Sequence, residues 1–282
     1  MSHLKISELF YSIQGEGKFM GVPSVFLRTF GCNFECNGFG MNKGEKSTER
    51  DTIAIKAETY TDYKSLPLVS TGCDSYASWD VRFKHLSPVL DTNVIADSIS
   101  DILPRGRWYD EHLVITGGEP LLGWQRAYPE LLSHNKMKAL KELTFETNGT
   151  QNISQEFGEY LTQWRRNRAK DAITFSVSPK LSISGEKWEN AICPDIVGDY
   201  KRYGFVYLKF VVASKEDVQE AEQAVNEYRK RGFTGPVYLM PVGGVESVYS
   251  LNNRRVAELA LANGLRYSDR IQVPLFKNAW GT

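Results

Sequence analysis

Two kinds of hydrophobic pattern alternate along most of the chain. From about residue 111 onward, short apolar runs rich in Val, Ile, Leu, Phe and Tyr are separated by segments whose apolar residues repeat at the helical period. This alternation is typical of a mainly parallel sheet covered by helices, so the class is α/β. Together with one earlier run, the predicted strands are 22–29, 113–116, 143–147, 172–177, 205–212 and 237–241. The predicted helices are 93–102, 124–140, 154–168, 215–231 and 252–263. Six such strands predict a partial, open β/α barrel.

Residues 37–72 do not follow this pattern. Polar and charged residues dominate the segment and show no period. A structureless loop of this length inside a compact domain is usually functional or disordered. We interpret the chain as one domain over 1–282, with 37–72 as an inserted loop or flap.

Composition excludes several classes of protein. With 41% hydrophobic and 24% charged residues, the chain is neither disordered nor a collagen nor a coiled coil. The 34 Lys and Arg residues equal the 34 Asp and Glu residues, so no net field would hold nucleic acid or an anionic membrane. No apolar run approaches the roughly 18 residues of a membrane span, and the start does not resemble a secretory signal. We expect a cytoplasmic protein without nucleic-acid or membrane partners.

Three of the four cysteines lie in the first quarter of the chain. Cys32 and Cys36 follow a predicted strand directly, and Cys73 comes after a further 36 residues. A structural zinc site normally uses two cysteine pairs, and the sequence has no second pair. Three thiolates with one open position suit an iron–sulfur cluster that binds another ligand. Three ordinary small, buried cysteines are the alternative.

A double glycine follows the predicted strand 113–116. Without side chains, Gly117 and Gly118 let polar groups of a ligand reach the backbone, and Glu119 can hold an ammonium group. The alternative is a tight turn between strand and helix, in which the glycines serve only the backbone conformation.

The glycine-bracketed segment 10–17 offers a second set of polar groups. Gln14 supplies a donor and an acceptor, Glu16 supplies two acceptors, and Arg28 offers a fork that fits a carboxylate. Such a set suits a pterin-like or purine-like edge that carries an acid. A solvated turn with Arg28 paired on a strand is the alternative.

Taken in order, these segments resemble the radical S-adenosylmethionine enzymes, and specifically the 7-carboxy-7-deazaguanine synthase family. The resemblance extends over nearly the whole chain. Its motifs are Phe-x-Ser-x-Gln-Gly-Glu-Gly at 10–17, Arg-x-x-Gly-Cys-Asn at 28–33, Cys-Asp-Ser at 73–75, Thr-Gly-Gly-Glu-Pro at 116–120, Glu-Thr-Asn-Gly at 146–149, Ser-Pro-Lys at 178–180, Leu-Lys-Phe-Val-Val at 208–212 and Pro-Val-Gly at 241–243.

The resemblance implies a [4Fe–4S] cluster held by Cys32, Cys36 and Cys73, with S-adenosylmethionine on the fourth iron. It implies a radical lyase that converts 6-carboxy-5,6,7,8-tetrahydropterin to 7-carboxy-7-deazaguanine with loss of ammonia. Mg²⁺ is implied as well, at Ser75, where the family has a threonine; serine keeps the hydroxyl oxygen that a hard cation needs.

The resemblance also implies roles for individual residues and partners. Gly117, Gly118 and Glu119 would bind the methionine end of the cofactor. Four residues near later strand ends are candidates for its ribose and carboxylate: Glu146, Thr147, Ser178 and Lys180. The expected catalytic and substrate-binding residues are Gln14, Glu16 and Arg28, with Thr116 as a further substrate contact. A homodimer and an external electron donor of the flavodoxin or ferredoxin type are implied too.

The sequence departs from the family pattern in two places. The usual spacing is C-x₃-C-x₂-C, whereas 36 residues separate Cys36 from Cys73 here. Phe276 stands where the family often has a histidine. Two other functions fit part of the pattern: an activating enzyme that makes a glycyl radical on a partner protein, and a zinc-stapled binding or regulatory protein. Metal identity and a pterin requirement distinguish the three.

Overall fold

A computed structural model describes residues 2–282 and shows an open nine-stranded sheet with helices packed against it. The strands are β1 His3–Ile13, β2 Pro23–Thr29, β3 Val89–Asp91, β4 His112–Gly117, β5 Leu143–Thr147, β6 Ile173–Val177, β7 Phe205–Val212, β8 Val237–Pro241 and β9 Arg266–Tyr267. The α-helices are α1 Glu49–Ala54, α2 Thr92–Ile102, α3 Tyr128–Ser133, α4 Gln155–Arg165, α5 Trp188–Ala191, α6 Pro194–Tyr200, α7 Lys215–Lys230, α8 Glu246–Ala262 and α9 Gln272–Phe276.

The strand order is β3-β1-β2-β4-β5-β6-β7-β8-β9. The strands β2, β4, β5, β6, β7, β8 and β9 run parallel to one another. The strand β1 is antiparallel to both of its neighbours, β2 and β3. Because the sheet is mostly parallel and does not close, the predicted α/β class with an open barrel is confirmed. The carboxyl ends of the parallel strands therefore lie along one edge of the sheet.

All six predicted strands are present, and three of them, β5, β7 and β8, have the predicted bounds. The helix predicted over 124–140 is wrong in length: it is only α3, followed by a short 3₁₀ turn at Asn135–Met137. Pro129 stands in the first turn of α3, where a proline is tolerated, so the helix cannot extend far in the direction of residue 124. The helix predicted over 252–263 begins earlier, at Glu246.

Successive side chains on the central strands point to opposite faces of the sheet. One face carries large apolar residues that pack beneath the helices, such as Phe145, Phe175 and Phe210. The other face carries polar residues that line a pocket, such as Ser176 and Lys209. Alternation along each strand thus separates the hydrophobic core from the site.

The insertion at 37–72 is not structureless. It contains α1 and two 3₁₀ turns, Ala57–Thr59 and Tyr63–Ser65. It also has a small hydrophobic core of its own, completed by residues that follow Cys73; the members are Ala57, Tyr63, Leu66, Val69, Tyr76, Ala77 and Phe83. Single 3₁₀ turns have no 3.6-residue period, which explains why the apolar pattern did not show them.

The end of the chain returns to the insertion. The Trp280 ring packs on Tyr63 and Tyr76, with centroid distances of 5.5 and 5.7 Å. Insertion and chain end together therefore form one wall of the pocket. Among residues 2–282, no helix has the length and apolar character needed to cross a membrane.

Candidate active site

One pocket at the carboxyl ends of the strands collects almost every residue singled out from the sequence. It has about 1640 Å³ of space not filled by protein atoms, part of it open to solvent. The predicted residues that line it are Gln14, Glu16, Arg28, Cys32, Cys36, Cys73, Ser75, Thr116, Gly117, Gly118, Glu146, Thr147, Ser178 and Lys180. Glu119 is the exception and lies behind the pocket wall.

The three early cysteines lie in one apolar environment with Phe34 and Phe39. Burial raises the pKa of Cys32 to about 12 and also raises the pKa of Cys36 and of Cys73. Lys180 lies close enough to oppose this shift at all three thiols. Buried thiols of this kind ionise when a cationic metal group coordinates them, so the donor set fits an iron–sulfur cluster.

All four cysteines of the chain are free. Within residues 2–282, no three His, Cys, Asp or Glu side chains form a group that could hold a single metal ion.

The loop that carries Cys32 and Cys36 is held against the rest of the site. Oε1 of Glu186 accepts hydrogen bonds from the backbone N–H groups of Glu35 and Cys36, at 2.9 and 2.8 Å. A Cβ on Gly118 would lie 2.3 Å from the carbonyl oxygen of Gly31. Glycine at 118 is therefore required for the loop to pack against the end of β4. From the sequence, Gly118 was expected either to give a ligand access to the backbone or to serve a tight turn, and its close approach to Gly31 was not expected.

The insertion folds back so that Cys73 reaches the other two cysteines. Glu49 accepts a hydrogen bond from the backbone N–H of Ser70 at 2.8 Å and one from Oγ1 of Thr71 at 2.8 Å. The N–H of Gly72 donates to the carbonyl oxygen of Phe39 at 2.7 Å. These bonds close the 36-residue insertion at its base. The length of the insertion is a small obstacle to this closure, because the entropic cost of closing a loop rises by only about 0.6 kcal/mol for each doubling of its length.

Glu119 is fully buried and joins β4 to β5. Its carboxylate accepts hydrogen bonds from the N–H of Leu121 at 3.0 Å, from Oγ1 of Thr147 at 2.8 Å and from the N–H of Asn148 at 2.7 Å. Burial raises the pKa of Glu119 to about 7 despite these donors. Its predicted contact with a cofactor ammonium group stays a prediction, while its structural role was not expected from the sequence.

Replacing Glu119 by Gln should destabilise the fold. The amide has one acceptor oxygen, so its NH₂ group would face the N–H of Leu121 or Asn148 and leave a buried donor without a partner. We expect the free energy of unfolding to fall by about 1–3 kcal/mol, measured by urea denaturation of the Glu119→Gln variant. Glu189 is exposed on α5, so the Glu189→Gln variant is the control and should have the wild-type free energy of unfolding. Equal stability of both variants would contradict this role.

Two polar residues of segment 10–17 are fixed by partners on other strands. Nε2 of Gln14 donates to Oε1 of Glu146 at 3.1 Å, and its Oε1 accepts from the N–H of Glu16 at 3.0 Å. Glu16 forms ion pairs with Lys209 and with Arg270, the latter at 3.1 Å. Three residues predicted from the sequence, Gln14, Glu16 and Glu146, are thereby connected. Their partners Lys209 and Arg270 were not predicted as site residues.

The unanticipated residues form one charged network along the pocket wall. Arg270 bridges Glu16 and Asp74, with 2.6 Å between its Nη2 and Oδ2 of Asp74. Nε2 of Gln272 donates to Oε1 of Glu16 at 3.0 Å. Lys209 had a sequence signal, because it is a lysine inside the apolar strand β7. Arg270 and Gln272 belong to the segment that resembles the family ending, but no site role was predicted for them from the sequence, because they reach the site through the return of the chain end.

This network makes acid stability depend on Glu16. Burial raises the pKa of Glu16, but the charges of Lys209 and Arg270 outweigh burial and lower the pKa to about 2. The unfolded chain therefore takes up this proton first, near pH 4.5. Stability supplied by Glu16 is complete above pH 4.5 and is lost toward pH 2, at up to about 1.4 kcal/mol per pH unit.

Acid titration of the unfolding free energy tests this. The wild type should lose stability steeply between pH 4.5 and 2. The Glu16→Gln variant should be less stable at pH 7, because two buried cations lose their counter-charge, and should show a shallower acid loss. Parallel acid curves for the two proteins would contradict the assignment.

Arg28 lies on β2 with its guanidinium shared between two partners. Its Nε donates to Oε2 of Glu8 at 2.9 Å, and its Nη1 lies 3.4 Å from Oγ of Ser75. Oγ of Ser75 in turn donates to Oδ1 of Asp74 at 3.2 Å. A cation, a hydroxyl and a carboxylate thus meet at one place in the pocket, which suits an anionic group together with a hard cation.

Comparison with known proteins gives a consistent result. A scan against models of protein families finds no match. A protein of Halobacterium salinarum named 7-carboxy-7-deazaguanine synthase is 30% identical over 290 residues, covering 98% of this chain and 91% of the relative. One of Pyrobaculum aerophilum with the same name is 28% identical, covering 99% and 97%. The crystal structure of QueE from Escherichia coli has the same fold, with a TM-score of 0.53 and 19% identity over 95% of this chain and 93% of that one.

The open sheet, the cysteine-lined pocket and these relatives define an enzyme of the radical S-adenosylmethionine class. The chain belongs to the 7-carboxy-7-deazaguanine synthase family. The resemblance inferred from the motifs is thereby confirmed, and the relatives favour it over the activating enzyme and the zinc-stapled protein.

Proposed function

We propose that this enzyme converts 6-carboxy-5,6,7,8-tetrahydropterin to 7-carboxy-7-deazaguanine with release of ammonia. The observation that carries the proposal is that three cysteines and the set Gln14, Glu16 and Arg28 face the same pocket. A radical source and a site for an acidic heterocycle must lie side by side in this chemistry, because proximity of the reacting atoms supplies much of the rate.

Cys32, Cys36 and Cys73 would hold the [4Fe–4S] cluster, and residues on the later strand ends would hold S-adenosylmethionine. When bound, these groups would supply the radical chemistry that removes hydrogen from C6 of the substrate. Gly117 and Gly118 offer backbone polar groups, and Lys180 offers a cation for the carboxylate of the cofactor. Its ribose would bind at Glu146, Thr147 and Ser178, which also line the pocket.

The substrate would bind between the N-terminal strands and the chain end. Arg28 offers its guanidinium to the carboxylate of the pterin. The rings of Phe10 and Phe26 stack with their centroids 4.9 Å apart and line the pocket, giving an apolar surface for a flat ring. Each polar atom of the Gln14 amide can form a second hydrogen bond, here to the polar edge of the pterin. Thr116 is a further contact.

Ser75 is proposed to bind Mg²⁺ together with the substrate carboxylate. Replacing Ser75 by Ala removes the hydroxyl oxygen, so we expect the Mg²⁺ concentration for half-maximal activity to rise about tenfold, which is about 1.4 kcal/mol. Ser75→Thr keeps the oxygen and should restore the wild-type value. An unchanged Mg²⁺ requirement in Ser75→Ala would contradict this role.

Three further features are proposed. Four free cysteines fit the reducing cytoplasm. The cluster requires an external one-electron donor of the flavodoxin or ferredoxin type. A homodimer is proposed from the family resemblance, and its mass in solution, measured by light scattering, would test it.

Anaerobic turnover tests the proposed reaction. Protein reconstituted with iron and sulfide is given S-adenosylmethionine, dithionite and Mg²⁺, with or without 6-carboxytetrahydropterin. The proposal predicts 7-carboxy-7-deazaguanine only in the complete mixture. Cleavage of S-adenosylmethionine without consumption of the pterin would keep the radical chemistry and reject the substrate. Absence of a cluster would reject the proposal.

A further inference from the structure

One hydrogen bond connects an indole side chain to a cysteine sulfur in the pocket. Nε1 of Trp79 donates to Sγ of Cys73 at 3.4 Å. Trp79 itself lines the pocket and is half-buried. Within residues 2–282, the sulfur of another pocket cysteine, Cys32, accepts a hydrogen bond from the backbone N–H of Phe34 at 3.4 Å. Removing the backbone donor would need a proline, which also restricts the backbone, whereas Trp79→Phe removes the indole donor and keeps an aromatic ring.

We propose that Trp79 is a positioning residue that raises the reduction potential of the iron–sulfur cluster through its hydrogen bond to Cys73. The inference rests on the proposed function, because it requires Cys73 to be a cluster ligand. Reduction adds one electron, delivered by an external donor, and makes the cluster and its thiolates more negative. A donor to sulfur stabilises that reduced state, so its presence makes reduction easier.

The insertion holds the indole in place. Arg50, in α1, lies over the ring of Trp79, with its guanidinium carbon 4.8 Å from the ring centroid. Arg50 is itself held by Glu35, Asp51 and Asp80, at 3.4, 3.2 and 3.3 Å. These three carboxylates offset its charge, so its main effect on the cluster is to fix the ring. The insertion therefore contributes to the surroundings of the third ligand.

The indole N–H is a neutral donor that does not titrate in the working range of pH. Its effect on the potential should therefore be the same at pH 7 and pH 8. A side chain that acted by changing its own charge would give a pH-dependent shift.

The test compares midpoint potentials of reconstituted proteins. Trp79→Phe keeps an aromatic ring and removes the N–H. We expect full iron and sulfide content and a midpoint potential more negative than that of the wild type, followed by electron paramagnetic resonance during a dithionite titration.

Trp164→Phe is the matched control. As at Trp79, an arginine lies over the ring: the guanidinium carbon of Arg168 is 3.8 Å from the ring centroid of Trp164. The buried Nε1 of Trp164 has no hydrogen-bond partner within residues 2–282. Trp164 lies outside the pocket. The potential of the variant should equal that of the wild type.

An unchanged potential in cluster-loaded Trp79→Phe would overturn the inference and leave the proposed function intact. If Trp79→Phe takes up no cluster, Arg50→Lys replaces it in the test, since it keeps the charge and loses the planar group over the ring. A smaller shift in the same direction supports the inference, and an unchanged potential overturns it. A wild-type protein that takes up no cluster would reject the inference together with the proposed function, and iron analysis identifies that case.

Discussion

Cys73→Ala should abolish cluster binding, although 36 residues separate Cys73 from Cys36. The three thiols share one apolar environment, and two protein thiolates cannot hold a cluster that needs three. We expect iron to fall from about four atoms per chain to a small residue, and product formation to fall at least about a thousandfold. Iron and sulfide analysis, visible absorption and anaerobic turnover measure these losses.

The fourth cysteine is a matched control for this experiment. Cys193 is half-buried and forms no part of the pocket lining. Its Sγ donates to the carbonyl oxygen of Asn190 at 3.6 Å. Cys193→Ala should keep full iron content and activity. Full iron in Cys73→Ala would show that the third ligand is assigned wrongly. Loss of iron in Cys193→Ala would then indicate that Cys193 is the third ligand instead.

Arg28→Lys should lower kcat/KM for the pterin about a hundredfold, mostly through KM. Lysine keeps the charge but loses the planar fork that fits a carboxylate, and such a contact is worth about 3 kcal/mol. The pair with Glu8 remains available, so the fold should persist. Steady-state kinetics with varied pterin measure the change, while iron content and substrate-independent cleavage of S-adenosylmethionine should stay at wild-type values.

An exposed arginine provides the comparison. Arg254 lies on α8 with 89% of its side chain exposed and, within residues 2–282, forms its one ion pair with Glu258 one turn away. Arg254→Lys should leave both kinetic constants unchanged. A wild-type KM in Arg28→Lys would reject Arg28 as the residue that binds the substrate carboxylate.

The sequence predicted the strands that are buried on both faces better than the rest of the sheet. In β7 and β8 nearly every residue is apolar, and the bounds were correct because such runs are visible without any period. In β5 the bounds were also correct, although its apolar residues, Leu143 and Phe145, alternate with polar ones. The longest strand, β1, was missed. It carries Ser7, Glu8 and Tyr11 among its apolar residues, and it was interpreted only as a polar segment with ligand-binding groups.

The same contrast holds for the site. Residues in motifs at the ends of parallel strands meet because the sheet brings those ends together. Position in the motif was therefore sufficient to expect Glu146, Ser178 and Gly117 in one pocket, which they line. Contacts made by the return of the chain end depend on tertiary packing, so Arg270 and Gln272 were not predicted. Phe276, which stands where the family often has a histidine, is 38% exposed and is not part of the pocket lining.

Transfer of hydrogen from C6 of the pterin is the step that is specific to the proposed reaction, and isotope labelling follows it. The measurement uses 6-carboxytetrahydropterin with deuterium at C6, the reconstituted enzyme and S-adenosylmethionine, and follows both products by mass spectrometry. We expect one deuterium in 5′-deoxyadenosine and 7-carboxy-7-deazaguanine as the second product. Unlabelled 5′-deoxyadenosine formed alongside unchanged pterin would contradict the proposed reaction.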